Sequence, residues 1–334
     1  MSRPERATRP FFSAGGQPVW LGRRPRQSSA RVPVCLGAFV LLSACAVAPM
    51  ERGQSLSSYD GLTTADGVLT KSLLRVDKDK VLAAKTVRIV PVTFEAVAGP
   101  TLSPQQRALV SNTINRAMCA GLSERFEVVG ADRPADLTVR ATVLHSAATD
   151  EVAAGASKVA SAIPTILGVS GMVPRIPVGL GSLSIEGEAV DIAGRQQAAM
   201  IWGRGATSFT NPAKISKIGD AYDLASNFGE DFSALLVTGE SPFGKAGALP
   251  SAGKIGAALG GKPKYAACAE FGVSPGLSGV VAGAAGLPPE WSDTGRLAEA
   301  APAEARRREG LFRSGPQRRG AGRRPRRLQA PGGR

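Results

Sequence analysis

Two strand patterns, 183–189 and 197–209, flank the turn D-I-A-G-R-Q at 191–196. Such an arrangement specifies adjacent antiparallel strands, with Gly194 free to take a left-handed backbone in the turn. Any fold for this chain must therefore be built on a sheet containing this hairpin. Further strand patterns occur at 86–94, 126–129 and 136–146. The last alternates cleanly, with Leu137, Val139, Ala141 and Val143 on one face. Pro91 interrupts the first and predicts a strand end, an edge or a bulge.

Between the strands lie two helical patterns. Ser103-Pro104-Gln105-Gln106 opens the first: Ser is the N-cap, Pro fits the first turn, and Gln106 can close a capping box. Val110, Ile114, Ala117, Met118 and Leu122 follow at helical spacing. The second, over 214–237, carries Ile215, Ile218, Tyr222, Ala225, Phe228, Phe232 and Leu235. Asp220, Asp223, Glu230 and Asp231 are assigned to its polar side. The expected architecture is α/β (α+β): a single two-layer domain over 82–240, with a mixed sheet of about five strands and two main helices on one face.

The net charge of +14 divides into +6 for residues 1–31, +9 for 301–334 and −1 between. The central part thus has no charge excess to attract phosphate. Neither tail contains Lys, whereas the centre has eleven. Arg, Pro, Gly and Ala without Lys is the composition of GC-rich DNA read out of frame or past a gene's ends, or else of a disordered Arg-rich tail. Residues 241–334 are read in this way, as low-complexity chain. Nucleic-acid binding through the Arg tails is an alternative function, and export argues against it.

Export is read from residues 1–44. Arg23, Arg24, Arg26 and Arg31 precede the uncharged stretch 32–43, which ends on small residues. A basic segment, a short apolar segment and a small-residue site form a secretory signal. The apolar segment is too short to be a stable membrane span. Its basic part is long, and Val19 or Leu21 offers an alternative start. Leu42-Ser43-Ala44-Cys45 resembles the bacterial lipobox, which implies lipidation of Cys45 after cleavage before it. Several acyl chains hold a protein to a bilayer essentially permanently. Ala46, rather than Asp, follows the Cys and by resemblance favours the outer membrane, facing the periplasm. Residues 45–81 are read as the lipidated Cys and a tether. The apolar stretch 159–174 is broken by Pro164, Gly168 and Gly171 and is not read as a span. The Gly-, Pro- and Ala-rich 155–181 is read as a long connection packed on the domain, with room for a short helix, the alternative being a segment that touches a membrane or partner.

Export leaves two thiols in an oxidising compartment, Cys119 and Cys268. They can pair, or can remain apart as one buried Cys and one in a loose tail. Chemistry-bearing patterns are few. His145 is the one His, and cannot build a multi-His metal site. Gly256 to Lys262 mimics a phosphate loop, but Pro263 stands where Ser or Thr belongs. Glu186 and Glu188 share one strand face, near Asp191. Such a pair can serve as acid and base in a hydrolase or hold calcium, but a solvated strand face is the ordinary explanation. Tyr59 and Leu62 can serve as a docking element in the tether, but are assigned to packing on the domain.

The segments LSSYDGL (56–62), RVDKDKVLAAKTVRIVPVTF (75–94) and SIEGEAVDIAGRQQAA (184–199) resemble those of bacterial lipoproteins grouped as domain-of-unknown-function family 3313. The resemblance covers about 45–240 and implies location and fold, not catalytic residues. The resulting expectation is a non-enzymatic envelope module without cofactor or metal. It would contact the membrane through Cys45 and meet an envelope protein partner.

Overall fold

The computed structural model describes residues 48–166, 175–244 and 251–293. The lipobox and both Arg-rich tails lie outside the described residues. The elements in chain order are β1 (Thr63–Thr64), β2 (Thr70–Val76), α1 (Lys78–Ala83), β3 (Thr86–Ile89), β4 (Thr93–Phe94), α2 (Pro104–Leu122), β5 (Glu127–Val128) and β6 (Leu137–Ala147). Then follow α3 (Glu151–Ile166), β7 (Ser182–Asp191), β8 (Gln196–Gly205), α4 (Gly219–Thr238), α5 (Ala252–Ala258), a 3-10 turn (Ala266–Phe271), α6 (Gly276–Ala285) and α7 (Pro289–Ser292). None of the described helices is long and apolar enough to cross a membrane.

The strands form one open mixed sheet in the order β1-β2-β8-β7-β6-β3-β5, with β4 also on β6. The β7–β8 hairpin lies at its centre, antiparallel, and Gly194 in its turn has φ 75°. β3 and β4 run parallel to β6 as one interrupted strand. Pro91 lies at the break and has no N–H to give the ladder. The following N–H, of Val92, turns to Asn115 Oδ1 on α2 at 3.2 Å.

Helices α2 and α4 cover one face. The expected capping box at Ser103 and Gln106 forms. Leu109, Val110, Ile114, Met118 and Leu122 of α2 are buried with Leu224, Phe228, Phe232 and Leu235 of α4. Beneath them lie Val139, Val143, Leu183, Ile185, Met200 and Trp202. The Phe228 and Phe232 rings are stacked, their centroids 5.6 Å apart, and Trp202 meets Phe228 edge-on. They reach the sheet because Gly187 has no side chain: a Cβ there would stand 2.9 Å from Phe228 Cζ.

The structure corrects four expectations. The sheet has eight strands and the described residues hold seven α-helices, more than the five strands and two main helices expected. Residues 48–81 are not a free tether. From Ala48 onward they enter the domain: β2 pairs along β8, and residues 48–62 cross the sheet's second face. The described part of 241–334 is not irregular: 251–293 forms α5 to α7, and Phe271 is buried in the main core. Helix α4 begins at Gly219 rather than 214, because residues 214–218 first make a tight turn with Gly219 N–H bonded to Ser216 O.

Gly229 sets how closely the two main helices approach. A Cβ there would lie 2.5 Å from Ala117 Cβ, 3.0 Å from Met118 N and 3.1 Å from Ile114 O. Helix propensity alone would make Gly229→Ala stabilising by about 1 kcal/mol. Two of the contacts are rigid backbone, so overpacking reverses the sign, with an expected net loss of about 1–3 kcal/mol. Urea denaturation of the variant measures this.

Candidate functional site

The sheet's second face carries the two paired carboxylates. Glu186 and Glu188 project from β7 on the side away from α2 and α4, at the registers of Thr142 and Ile201, and of Arg140 and Ala199. Both are fully buried, at 0% and 1% exposure. A buried carboxylate is costly unless its oxygens are bonded. Here the segment 48–59, hereafter the strap, supplies most of the donors. Glu186 Oε1 accepts from the Gly53 N–H at 2.9 Å. Its Oε2 accepts from the Ser55 N–H and hydroxyl and from the Tyr59 hydroxyl, the last at 2.8 Å. Glu188 accepts from the Ser57 N–H at 2.8 Å and from its hydroxyl. Arg140 Nη2 and Gln196 Nε2 complete its shell at 2.6 and 2.8 Å.

Each carboxylate therefore holds four donors, near the capacity of its two oxygens. Burial, and next the bond to Glu186, push the Tyr59 phenol up to about 12. Leu56 packs on Ala199 and Ile201, with Met50, Tyr59, Leu62 and Leu73 around it. The solvated strand face expected at Glu186 and Glu188 is thus replaced by a polar seam between sheet and strap. Acid–base or calcium chemistry there would require the strap to leave.

A second buried polar node joins the start of α4 to the loops before β7. Asp220 is fully buried, although the helical pattern assigns it to the polar side. Arg175 binds it through both terminal nitrogens, at 2.5 and 3.1 Å. Thr149 Oγ1 and the Gly181 N–H donate to the same Asp220 oxygen, at 3.0 and 2.8 Å. One turn further along α4, Asp223 pairs with Lys214, and burial holds its carboxyl above the ordinary range despite that cation. Beside this node Arg204, Asn211, Asp223 and Asn227 line an open recess of about 320 Å³. Sequence reasoning misses Arg175, Lys214 and Arg204, which sit in irregular chain or at a strand end. The only signal is an acidic residue in the first turn of a helix.

Leu42, Ser43, Ala44 and Cys45 lie outside the described residues. Cys119 of α2 and Cys268 of the 3-10 turn form a disulfide, Cα atoms 6.0 Å apart, tying the chain after α5 to the main core. Arg116 on α2 and Tyr222 on α4 both bond Asp293, fixing the end of the described chain. His145 sits at a bulge in the β6–β7 ladder, half-buried. Gly256 lies inside α5, and the Gly261 N–H closes on Gly256 O, a helix end and not a phosphate cradle. Among the described residues no group of three or more His, Cys, Asp or Glu could hold a metal.

The sequence profile of the DUF3313 family, described as "Protein of unknown function", matches residues 51–232. No curated protein matches the chain. Three solved structures are similar. A point variant of the PelC dodecamer from Paraburkholderia phytofirmans is 10% identical, with TM-score 0.31, covering 52% of this chain and 100% of its own. A second crystal form of the PelC dodecamer from that organism is 9% identical, with TM-score 0.30, covering 51% and 99%. A DUF4136 family protein from Bacteroides thetaiotaomicron is 11% identical, with TM-score 0.27, covering 53% and 100%.

Glu186→Gln would direct an amide N–H₂ at some of the donors from Gly53, Ser55 and Tyr59. Leaving buried donors unpaired is expected to cost about 3 kcal/mol and to open the strap to protease; chemical denaturation and limited proteolysis measure both. Asp231 accepts from Trp202 Nε1 at 2.8 Å, and burial pushes its carboxyl up to about 6 from 3.8. A raised carboxyl is neutral in the fold at low pH. Its contribution is full below pH ~4 and is lost as pH rises through about 6, by up to about 3 kcal/mol. Asp231→Asn keeps an acceptor for Trp202, so it is expected to be more stable than the parent at pH ~8 and to flatten this part of the profile. Urea midpoints across that range measure the difference.

Proposed function

The chain belongs to the DUF3313 family, and from that premise we propose that it is an envelope lipoprotein that binds or assembles rather than catalyses. Acylated Cys45 holds its α/β domain to the membrane on the periplasmic side, with the outer membrane as the favoured site. The observation that carries this reading is the lipobox Leu42-Ser43-Ala44-Cys45 behind a basic and apolar leader. The carboxylates best placed for hydrolysis support the non-catalytic part, because Glu186 and Glu188 are occupied by strap donors.

The disulfide between Cys119 and Cys268 suits an oxidising compartment. An envelope protein partner is part of the proposal, and nucleic acid is not, since the basic excess is confined to the two tails. Intact-mass analysis of protein extracted from membranes tests the reading. The expected mass starts at Cys45 and includes acyl chains, and Cys45→Ser is expected to leave the membrane fraction. A product that retains its leader, or carries an unmodified Cys45, contradicts the proposal.

A further inference from the structure

We infer that one end of the domain lies directly on the bilayer that receives the Cys45 acyl chains, with Phe209, Ile176, Val178, Val152 and Val159 as its lipid-facing side chains. The inference rests on the lipoprotein reading and adds an orientation to it. Ala48 is buried, and Pro49 O accepts from Ser184 Oγ at 2.5 Å. Ala48 and Met50 both pack over Gly203, where a Cβ would lie 3.4 Å from Ala48 Cβ. Ser184 is near the start of β7 and Gly203 near the end of β8.

From there the strap advances to Glu186, then Glu188, then Gln196, whose Nε2 donates to Ser58 O. Its direction is thus fixed along β7, and Ala48, where the described strap begins, lies at the end where β7 starts and β8 stops. Cys45 is three residues before Ala48. Three Cα–Cα steps reach at most about 11 Å. An anchor so close leaves no stand-off between that end of the domain and the lipid.

The same end exposes apolar side chains. Beyond β8 comes Phe209, 51% exposed. Its neighbour Ser208 accepts from the Arg175 N–H at 2.8 Å, which brings Ile176 and Val178 alongside, the latter 61% exposed. The Ile176 N–H donates to Ser157 Oγ on α3 at 3.1 Å. Helix α3 exposes Val152 and Val159, at 82% and 65%. Seven residues apart, these two stand on one side of the helix, two turns from each other. Isolated apolar residues on a surface are ordinary, but a group at one place marks an interaction surface. The charges around them are mixed, with Asp150 and Glu151 beside Lys158 and Lys217. Apolar burial, rather than attraction to anionic headgroups, is therefore the driving term. The Arg175–Asp220 pair beneath holds the 175–181 loop in place, bonding Gly181 as well.

The test uses tryptophan reporters in the full mature protein, extracted with its native lipid modification. The protein is reconstituted into vesicles of phosphatidylethanolamine and phosphatidylglycerol with brominated acyl chains. Reporters are Phe209→Trp and Val178→Trp, with Ile192→Trp as control in the β7–β8 turn at the opposite end, all in a Trp291→Phe background. The emission added at 209 and 178 is expected to fall roughly twofold, as for side chains ~5–10 Å into the headgroup boundary. Emission at 192 is expected to be unchanged. Acylated, vesicle-bound protein with 209 and 178 unquenched, or quenched no more than 192, overturns the orientation alone. Unquenched reporters together with a dimer by analytical ultracentrifugation assign the surface to a second copy and also overturn it. An unacylated Cys45 by mass spectrometry instead removes the lipoprotein reading, and this inference with it.

Discussion

Burying a carboxylate in the face of a sheet is costly, and only a dense set of donors makes it tolerable. The architecture here depends on two of them. Glu186 and Glu188 lie on β7, the central strand of the sheet, and take donors from a strap that has no regular structure of its own. The strap in turn gains a fixed path, because its N–H groups at 53, 55 and 57 find acceptors two residues apart on β7. Without the strap the carboxylates would face water, and without the carboxylates the strap would lack its anchoring bonds. The second face of the sheet is closed by this polar exchange, supported by the small apolar cluster around Leu56.

The first face is closed by ordinary packing. Two helices meet at Gly229 and press aromatic rings onto Gly187 and Trp202. These two modes of closure differ in what they tolerate. The helical face is set by volume, so small changes in side-chain size are felt. The strap face is set by hydrogen-bond geometry, so loss of an acceptor matters more than loss of bulk.

The parts legible in the sequence are those with a period. Residues 137–143 alternate, the hairpin has its turn glycine, and Ser103 with Gln106 marks a helix start, and each appears in the structure. Of the strap only the packing of Tyr59 was legible; its bonds run from main-chain N–H groups to carboxylates more than a hundred positions away and leave no periodic mark. The S-I-E-G-E alternation at 184–188 has a polar side, but polarity fixes only what that side bonds to, and here the partner is protein rather than water. Asp220 repeats the lesson: its helix position looks solvated, yet Arg175 and Thr149 enclose it. Residues 251–293 are rich in Gly, Ala and Pro and lack a strong apolar period. They are fixed instead by a disulfide to α2 and by Asp293 bonding α2 and α4, contacts that no local pattern announces.

The strap also changes what the N-terminal chain can do. A free tether would let the domain wander, whereas a strap bound from Ala48 onward is held to the sheet along its length. Hydrogen exchange of the backbone amides in the strap measures this most directly. The Gly53, Ser55 and Ser57 N–H groups are expected to be protected, exchanging far more slowly than unstructured chain, and Glu186→Gln is expected to release Gly53 and Ser55 first. Exchange at the rate of free peptide at all three amides in the unaltered protein would contradict the account.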